Sequence, residues 1–187
     1  MKLMIASDIH GSAYYCEKLV NIFVQENPER LLLLGDLLYH GPRNDLPKDY
    51  CPKKVIHILN GIKDKIICVR GNCEAEVDQM VLEFPVLSDS LLLFLDGKLM
   101  FASHGHIYNE NKLPALHSGD IFLQGHTHVP CMKKLGDYFI VNPGSVSLPK
   151  ENSEHSYIIY ESCGFTLKTL DGEVLETFHL QPVHSFL

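Results

Sequence analysis

Two aspartates, one asparagine and four histidines follow five short apolar runs of this 187-residue chain. Residues 4–7 lead into Asp8 and His10, and residues 31–34 lead through Gly35 into Asp36. Residues 66–69 reach Asn72, residues 99–102 reach His104, and residues 121–123 reach His126 and His128. Apolar runs of this length read as buried strands. In open α/β sheets ligands gather beyond the carboxyl ends of the strands, so these ends would converge on one cleft. The donors suffice for two metal ions. Imidazole and carboxylate suit Mn, Fe and Zn, and no thiolate among them would favour a softer ion. Four histidines could instead be hydrogen-bonded core residues, but beside two aspartates they would make a costly core.

Particular elements must position those ends. Residues 13–26 place Cys16, Leu19, Val20, Phe23 and Val24 on one helical stripe, and the helix is expected to end before Pro28. Residues 53–62 repeat the pattern with Val55, Ile58, Leu59 and Ile62, and a third helix is expected over 74–82. The order through Val69 is βαβαβ, which implies parallel strands with right-handed crossovers. After Pro85 the chain turns β-rich, with runs at 91–95, 98–103, 120–124, 130–134, 138–141, 156–161, 165–170 and 174–179. Asp96-Gly97, Gly136-Asp137 and Asp171-Gly172 fall between runs as hairpin turns. The expectation is two packed sheets flanked by helices in one domain, residues 1–187. Residues 39–52, rich in Pro, Gly, Asn and Asp, form a long loop at the end of the second strand, where long loops are usually functional.

Composition limits the alternatives. A charged fraction of 21% and a hydrophobic fraction of 45% are those of an ordinary globule, and one core can be built at this length. No apolar stretch reaches the length of a membrane span, because Asp96 and Lys98 interrupt the longest. The N-terminus opens on a strand without the pattern of a signal peptide. The six cysteines form no CxxC pair and read as free thiols, so a cytoplasmic location is expected. A formal charge of -7 argues against a broad nucleic-acid surface but not against a small phosphorylated substrate drawn in by metal ions.

The ordered motifs Asp8-Ile9-His10, Gly35-Asp36, Gly71-Asn72-Cys73-Glu74, His104-Gly105-His106 and Gly125-His126-Thr127-His128 resemble those of the calcineurin-like metallophosphoesterases. The resemblance covers most of the chain, and segments His40 to Asn44 and Asn142 to Ser145 share it. It implies an α/β fold, a four-layer α/β/β/α sandwich of two mixed sheets, with two divalent metal ions. Mn²⁺ is the usual metal, and Fe, Zn, Ni or Co can stand in. Carried over by position, one metal would take Asp8, His10 and His128, the other Asn72, His104 and His126, and Asp36 would bridge them. A bridging carboxylate sets two cations ~3.5–4 Å apart, where they can clamp phosphoryl oxygens. The implied activity is hydrolysis of a small phosphodiester, with a metal-bound hydroxide attacking phosphorus in line. A phosphomonoesterase and a metal-binding interaction scaffold of the same fold are the alternatives, and a homo-oligomer is compatible with either.

Three further residues are candidates for chemistry. Cys73 stands where most of the family has a histidine that helps protonate the leaving alkoxide. A thiol with a reference pKa of ~8.5 can donate a proton, or Cys73 is a small residue without a catalytic part. His106 lies on the loop from which it could take over. Arg43 could grip a nonbridging phosphate oxygen through its planar fork, or pair with an acidic neighbour. The remaining cysteines read as packing thiols, and His57, His155, His179 and His184 are given no role.

Overall fold

The computed structural model describes residues 1–180, so His184 lies outside the described residues. Strand β1 (Leu3–Ala6), helix α1 (Ala13–Glu26), β2 (Arg30–Leu33), α2 (Pro52–Asn60) and β3 (Ile66–Cys68) give the expected βαβαβ order. β1 pairs parallel with β2, and β2 with β3. Ser12 caps α1 by accepting the Tyr15 N–H, and Asn27 closes it in the left-handed conformation, just ahead of Pro28. Pro52 starts α2, where its missing N–H has no partner to lose. Helix α3 is shorter than the sequence suggests, running only from Glu76 to Gln79. The residues before it are engaged elsewhere: the Cys73 N–H and the Glu74 carboxylate bond to the Asp36 region instead of joining a helix.

The later strands are β4 (Ser90–Leu95), β5 (Lys98–Ser103), β6 (Ile121–Leu123), β7 (Cys131–Leu135), β8 (Tyr138–Asn142), β9 (Ser156–Glu161), β10 (Gly164–Thr169) and β11 (Val174–His179). They divide between two sheets. The first runs β11-β10-β9-β1-β2-β3 and the second β4-β5-β6-β8-β7. Both are mixed, since β9 is antiparallel to β1, while β5, β6 and β8 are parallel to one another. Asp96 and Gly97 both take positive φ at the β4–β5 turn, as a two-residue hairpin requires.

Strand periodicity explains the core. Met4, Ala6, Leu31 and Leu33 face α1 and α2, packing among Cys16, Leu19, Phe23, Val55 and Leu59. Leu3, Ile5, Leu32 and Leu34 face the other sheet, against Met100, Ala102, Ile121, Leu123 and Val141. Burial on both faces is why these strands read as unbroken apolar runs. The far face of the second sheet carries Phe122, itself buried, with Phe101 packed between it and Tyr108. That cover comes from the irregular 104–120 segment, which has no regular helix. The α/β sandwich of two mixed sheets is as expected, with helices on one outer side and this segment on the other. All six cysteines are free, and no helix among the described residues is long and apolar enough to cross a membrane.

Leu32 sits fully buried between the sheets, so Leu32→Ala removes contacts on a face that cannot collapse freely. The expected loss is about 2–5 kcal/mol of unfolding free energy, measured by urea denaturation. A loss below ~1 kcal/mol would show that the sheet-to-sheet core is not packed as described.

Candidate metal centre

Three of the five strand ends turn sharply where they present their side chains. Asp8, His10, Asp36, His126 and His128 all adopt the left-handed conformation, at φ 59°, 49°, 56°, 67° and 61°. For residues with a Cβ this costs roughly 1–2 kcal/mol each, so the surroundings must hold it in place. They do so through the backbone. Asp8 and His10 donate their N–H groups to Gly35 and Asp36 carbonyls at 3.1 and 2.9 Å. The Asp8 carbonyl accepts the hydroxyls of Ser145 (2.8 Å) and Ser147 (3.1 Å). Two glycines are needed for close approach. A Cβ on Gly71 would lie 2.1 Å from Asp36 Oδ1, and one on Gly125 would lie 2.0 Å from Ser7 Oγ.

The side chains form two groups that share Asp36. In the first, His10 Nε2 and His128 Nε2 are 3.1 Å apart, and Asp8 Oδ1 lies 3.4 and 3.2 Å from them. In the second, His104 Nε2 lies 3.1 Å from Asn72 Oδ1 and 3.2 Å from His126 Nδ1. Asp36 Oδ2 stands 3.7 Å from His10 Nε2 and 3.5 Å from His104 Nε2.

Hydrogen bonds behind the cluster fix which ring atoms face it. The Nδ1–H of His10, His104 and His128 donates to the carbonyls of Tyr39 (2.8 Å), Leu34 (2.6 Å) and Leu148 (2.6 Å). A carbonyl only accepts, so Nε2 of each ring is left to meet a cation. Asp8 Oδ2 is satisfied by Ser7 Oγ (2.6 Å) and the His126 N–H (3.1 Å). Asp8 Oδ1, equally buried, has no hydrogen-bond partner. A buried carboxylate oxygen without a donor is costly, and here it points at two imidazole nitrogens. The donor set fits divalent cations with a preference for nitrogen and oxygen.

Electrostatics point the same way. Burial alone would raise the Asp8 carboxyl, yet His10, His104 and His128 hold it well below the ordinary carboxylate range. Asp36 is also lowered, against burial, chiefly by His104. Burial pulls His104 down, but Asp36 and Asp8 push it up to about 9, so the surroundings of this nitrogen favour positive charge. His126 and His106 are lowered by burial and by the neighbouring His104 charge.

The candidates outside the seven fall in different places. Arg43 and Cys73 line the cleft of about 460 Å³ that opens over the cluster. Arg43 makes no ion pair among the described residues. The Cys73 N–H donates to Asp36 Oδ1 at 2.9 Å, and Asn72 Nδ2 lies 3.2 Å from its sulfur. Burial and the Asp36 charge push its thiol pKa up. His106 has its ring 5.4 Å from that of His104 but is not part of the cleft wall.

Sequence reasoning missed several supports. Glu74 is buried and accepts the N–H groups of Asp36 (2.9 Å), Leu37 (2.7 Å) and Gly71 (2.5 Å), tying the β2 turn to the β3 turn. Asn142 donates to the Gly125 carbonyl and to Thr127 Oγ1, steadying the turn that carries His126 and His128. Its segment was singled out by family resemblance without a role, and strand-end logic could have supplied one, because β8 also runs parallel into a polar turn. Lys150 lines the cleft and had no signal of its own.

Glu74→Ala leaves three buried N–H groups without an acceptor and opens a void between two turns. We expect a loss of about 3 kcal/mol or more in denaturant unfolding, accompanied by weaker Mn²⁺ binding in calorimetry. Unchanged stability and affinity would remove Glu74 from the support of the site.

Comparison with known proteins identifies the family. Residues 1–164 match the calcineurin-like phosphoesterase superfamily domain. The chain is 47% identical over 157 residues to phosphodiesterase YfcE of Escherichia coli K12, covering 84% of this chain and 85% of that protein. The solved structure of the E. coli phosphoesterase Yfce superposes with a TM-score of 0.94 at 42% identity, covering 97% of this chain and 100% of that one. Vps29 of Entamoeba histolytica, solved in complex with Zn²⁺, shares the fold at a TM-score of 0.65 and 20% identity, covering 97% of this chain and 100% of its own. With the family domain spanning most of its length and such a relative beside it, this chain belongs to the calcineurin-like phosphoesterase superfamily.

Proposed function

We propose that this chain hydrolyses small phosphodiesters with a pair of divalent cations held by the seven converging residues. The observation that carries the reading is the place of Asp36, whose Oδ2 faces His10 Nε2 on one side and His104 Nε2 on the other. Asp8, His10 and His128 would hold one cation, and Asn72, His104 and His126 the other. The similarity to a protein named a phosphodiesterase supports the substrate class. Bound there, two divalent cations would supply Lewis acidity, a water of lowered pKa and charge to balance the phosphoryl oxygens.

The chain's own residues do the rest. Asp36 keeps the two groups in one geometry and is itself fixed by the Cys73 N–H. The neutral Asn72 amide keeps the anionic charge of the donor set low. Arg43, unpaired on the cleft wall, can hold a nonbridging phosphate oxygen through its guanidinium fork. Cys73 is the better placed of the two proton-donor candidates, because it lines the cleft and His106 does not. Mn²⁺ is the metal we expect, from the hardness of the carboxylate and amide donors.

Chelator-stripped protein should lose turnover of a bis-aryl phosphate and regain it best with Mn²⁺. Asp36→Asn should abolish the regained activity, because both groups lose their shared charge. Full activity without metal, or near-normal kcat in Asp36→Asn, would contradict the proposal.

A leaving-group series tests Cys73. Positioned acid catalysis contributes ~10²–10⁴-fold and matters most for basic leaving groups. Cys73→Ala should therefore depress kcat on alkyl diesters by about 10²-fold, far more than on activated aryl diesters, while His106→Ala loses less. Equal losses on both substrate types would leave Cys73 without a role as proton donor.

A further inference from the structure

The charges on the cleft wall are opposite to those of the molecule. The chain has 23 acidic and 16 basic residues, yet above the cluster the cleft presents Arg43 and Lys150 and no acid other than Asp36 at its floor. The two cations come from separate segments. Arg43 belongs to the loop after β2, where Gly41 approaches the Cys73 sulfur. Lys150 belongs to the segment after β8 and sits beside His128.

Lys150 is held at the cleft by its backbone. Its N–H donates to the His128 carbonyl at 3.2 Å, and its own carbonyl accepts the Ser153 N–H (3.0 Å) and Oγ (2.6 Å). The turn between them places Glu151 and Asn152 at φ 54° and 58°, two consecutive left-handed residues that carry a Cβ. Its ammonium nonetheless makes no ion pair among the described residues, although Glu151 is adjacent in sequence. Six of the thirteen lysines pair with acids and seven, Lys150 among them, do not, but among the described residues Lys150 is the lysine that lines the cleft. An unpaired ammonium at the mouth of a cleft is set to receive an anion from outside. The scissile diester has one charge, which the metal pair and Arg43 already meet in the proposed function.

We propose that Lys150 receives a second phosphate group of the substrate, so that the cleft prefers diesters that carry one. This rests on the diesterase reading, and binding and turnover are therefore measured separately. In calorimetry with Mn²⁺-loaded protein, thymidine 3′,5′-bisphosphate should bind about tenfold more tightly than thymidine 5′-monophosphate. Lys150→Met should reduce that preference to within about twofold, and Lys150→Arg should keep most of it. In turnover, the p-nitrophenyl 5′-diester of thymidine 3′-phosphate should show a lower KM than the same ester with a free 3′-hydroxyl, with similar kcat. That difference should vanish in Lys150→Met. Equal affinities in the unaltered protein would overturn the proposal. So would a preference that survives Lys150→Met and is lost in Arg43→Met. A preference lost in Lys150→Met in a protein that turns over neither ester would keep the Lys150 site and overturn the diesterase reading instead.

Discussion

Two buried carboxylates set the terms for this molecule. Asp8 and Asp36 both lie within 3.7 Å of His10 Nε2, and Asp8 Oδ1 has no hydrogen-bond donor at all. Buried like charges and facing lone pairs are costly unless a cation lies among them. The pull of both carboxylates on His104, which raises its pKa against burial, reflects the same demand for positive charge. Divalent cations would supply it more fully, and the rest of the architecture serves to hold the donors together against their own repulsion.

That holding is distributed. Five left-handed residues in three turns aim the side chains, and each turn is locked by hydrogen bonds from another segment. The Glu74 carboxylate joins the β2 and β3 turns, and the Ser145 and Ser147 hydroxyls brace the Asp8 backbone from beyond β8. Three backbone carbonyls set the ring tautomers. Local strain at a site persists where its surroundings over-determine it, and here the two packed sheets provide that rigidity.

Much of this was legible in the residues, for a physical reason. Strands buried on both faces leave continuous apolar runs, and their ends mark where side chains emerge, so Asp8, Asp36, Asn72, His104, His126 and His128 announce themselves by type and position. Other features depend on tertiary contacts that no local pattern encodes. Glu74 reads as the polar start of a helix, but the turns it bonds withdraw it, and α3 shrinks to four residues. Residues 104–120 have no helical stripe, and only the packed Phe101, Tyr108 and Phe122 show what they cover. Arg43 was visible only through family resemblance. Lys150 was invisible, because its meaning comes from the cleft that four distant segments build around it.

Seven side chains holding two cations across one carboxylate make a pattern that can be seen directly. Anomalous diffraction at the manganese edge, from crystals grown with Mn²⁺, tests it most directly. Two peaks are expected ~3.5–4 Å apart, one beside Asp8, His10 and His128 and the other beside Asn72, His104 and His126, with Asp36 between them. A single peak, or peaks away from Asp36, would contradict it.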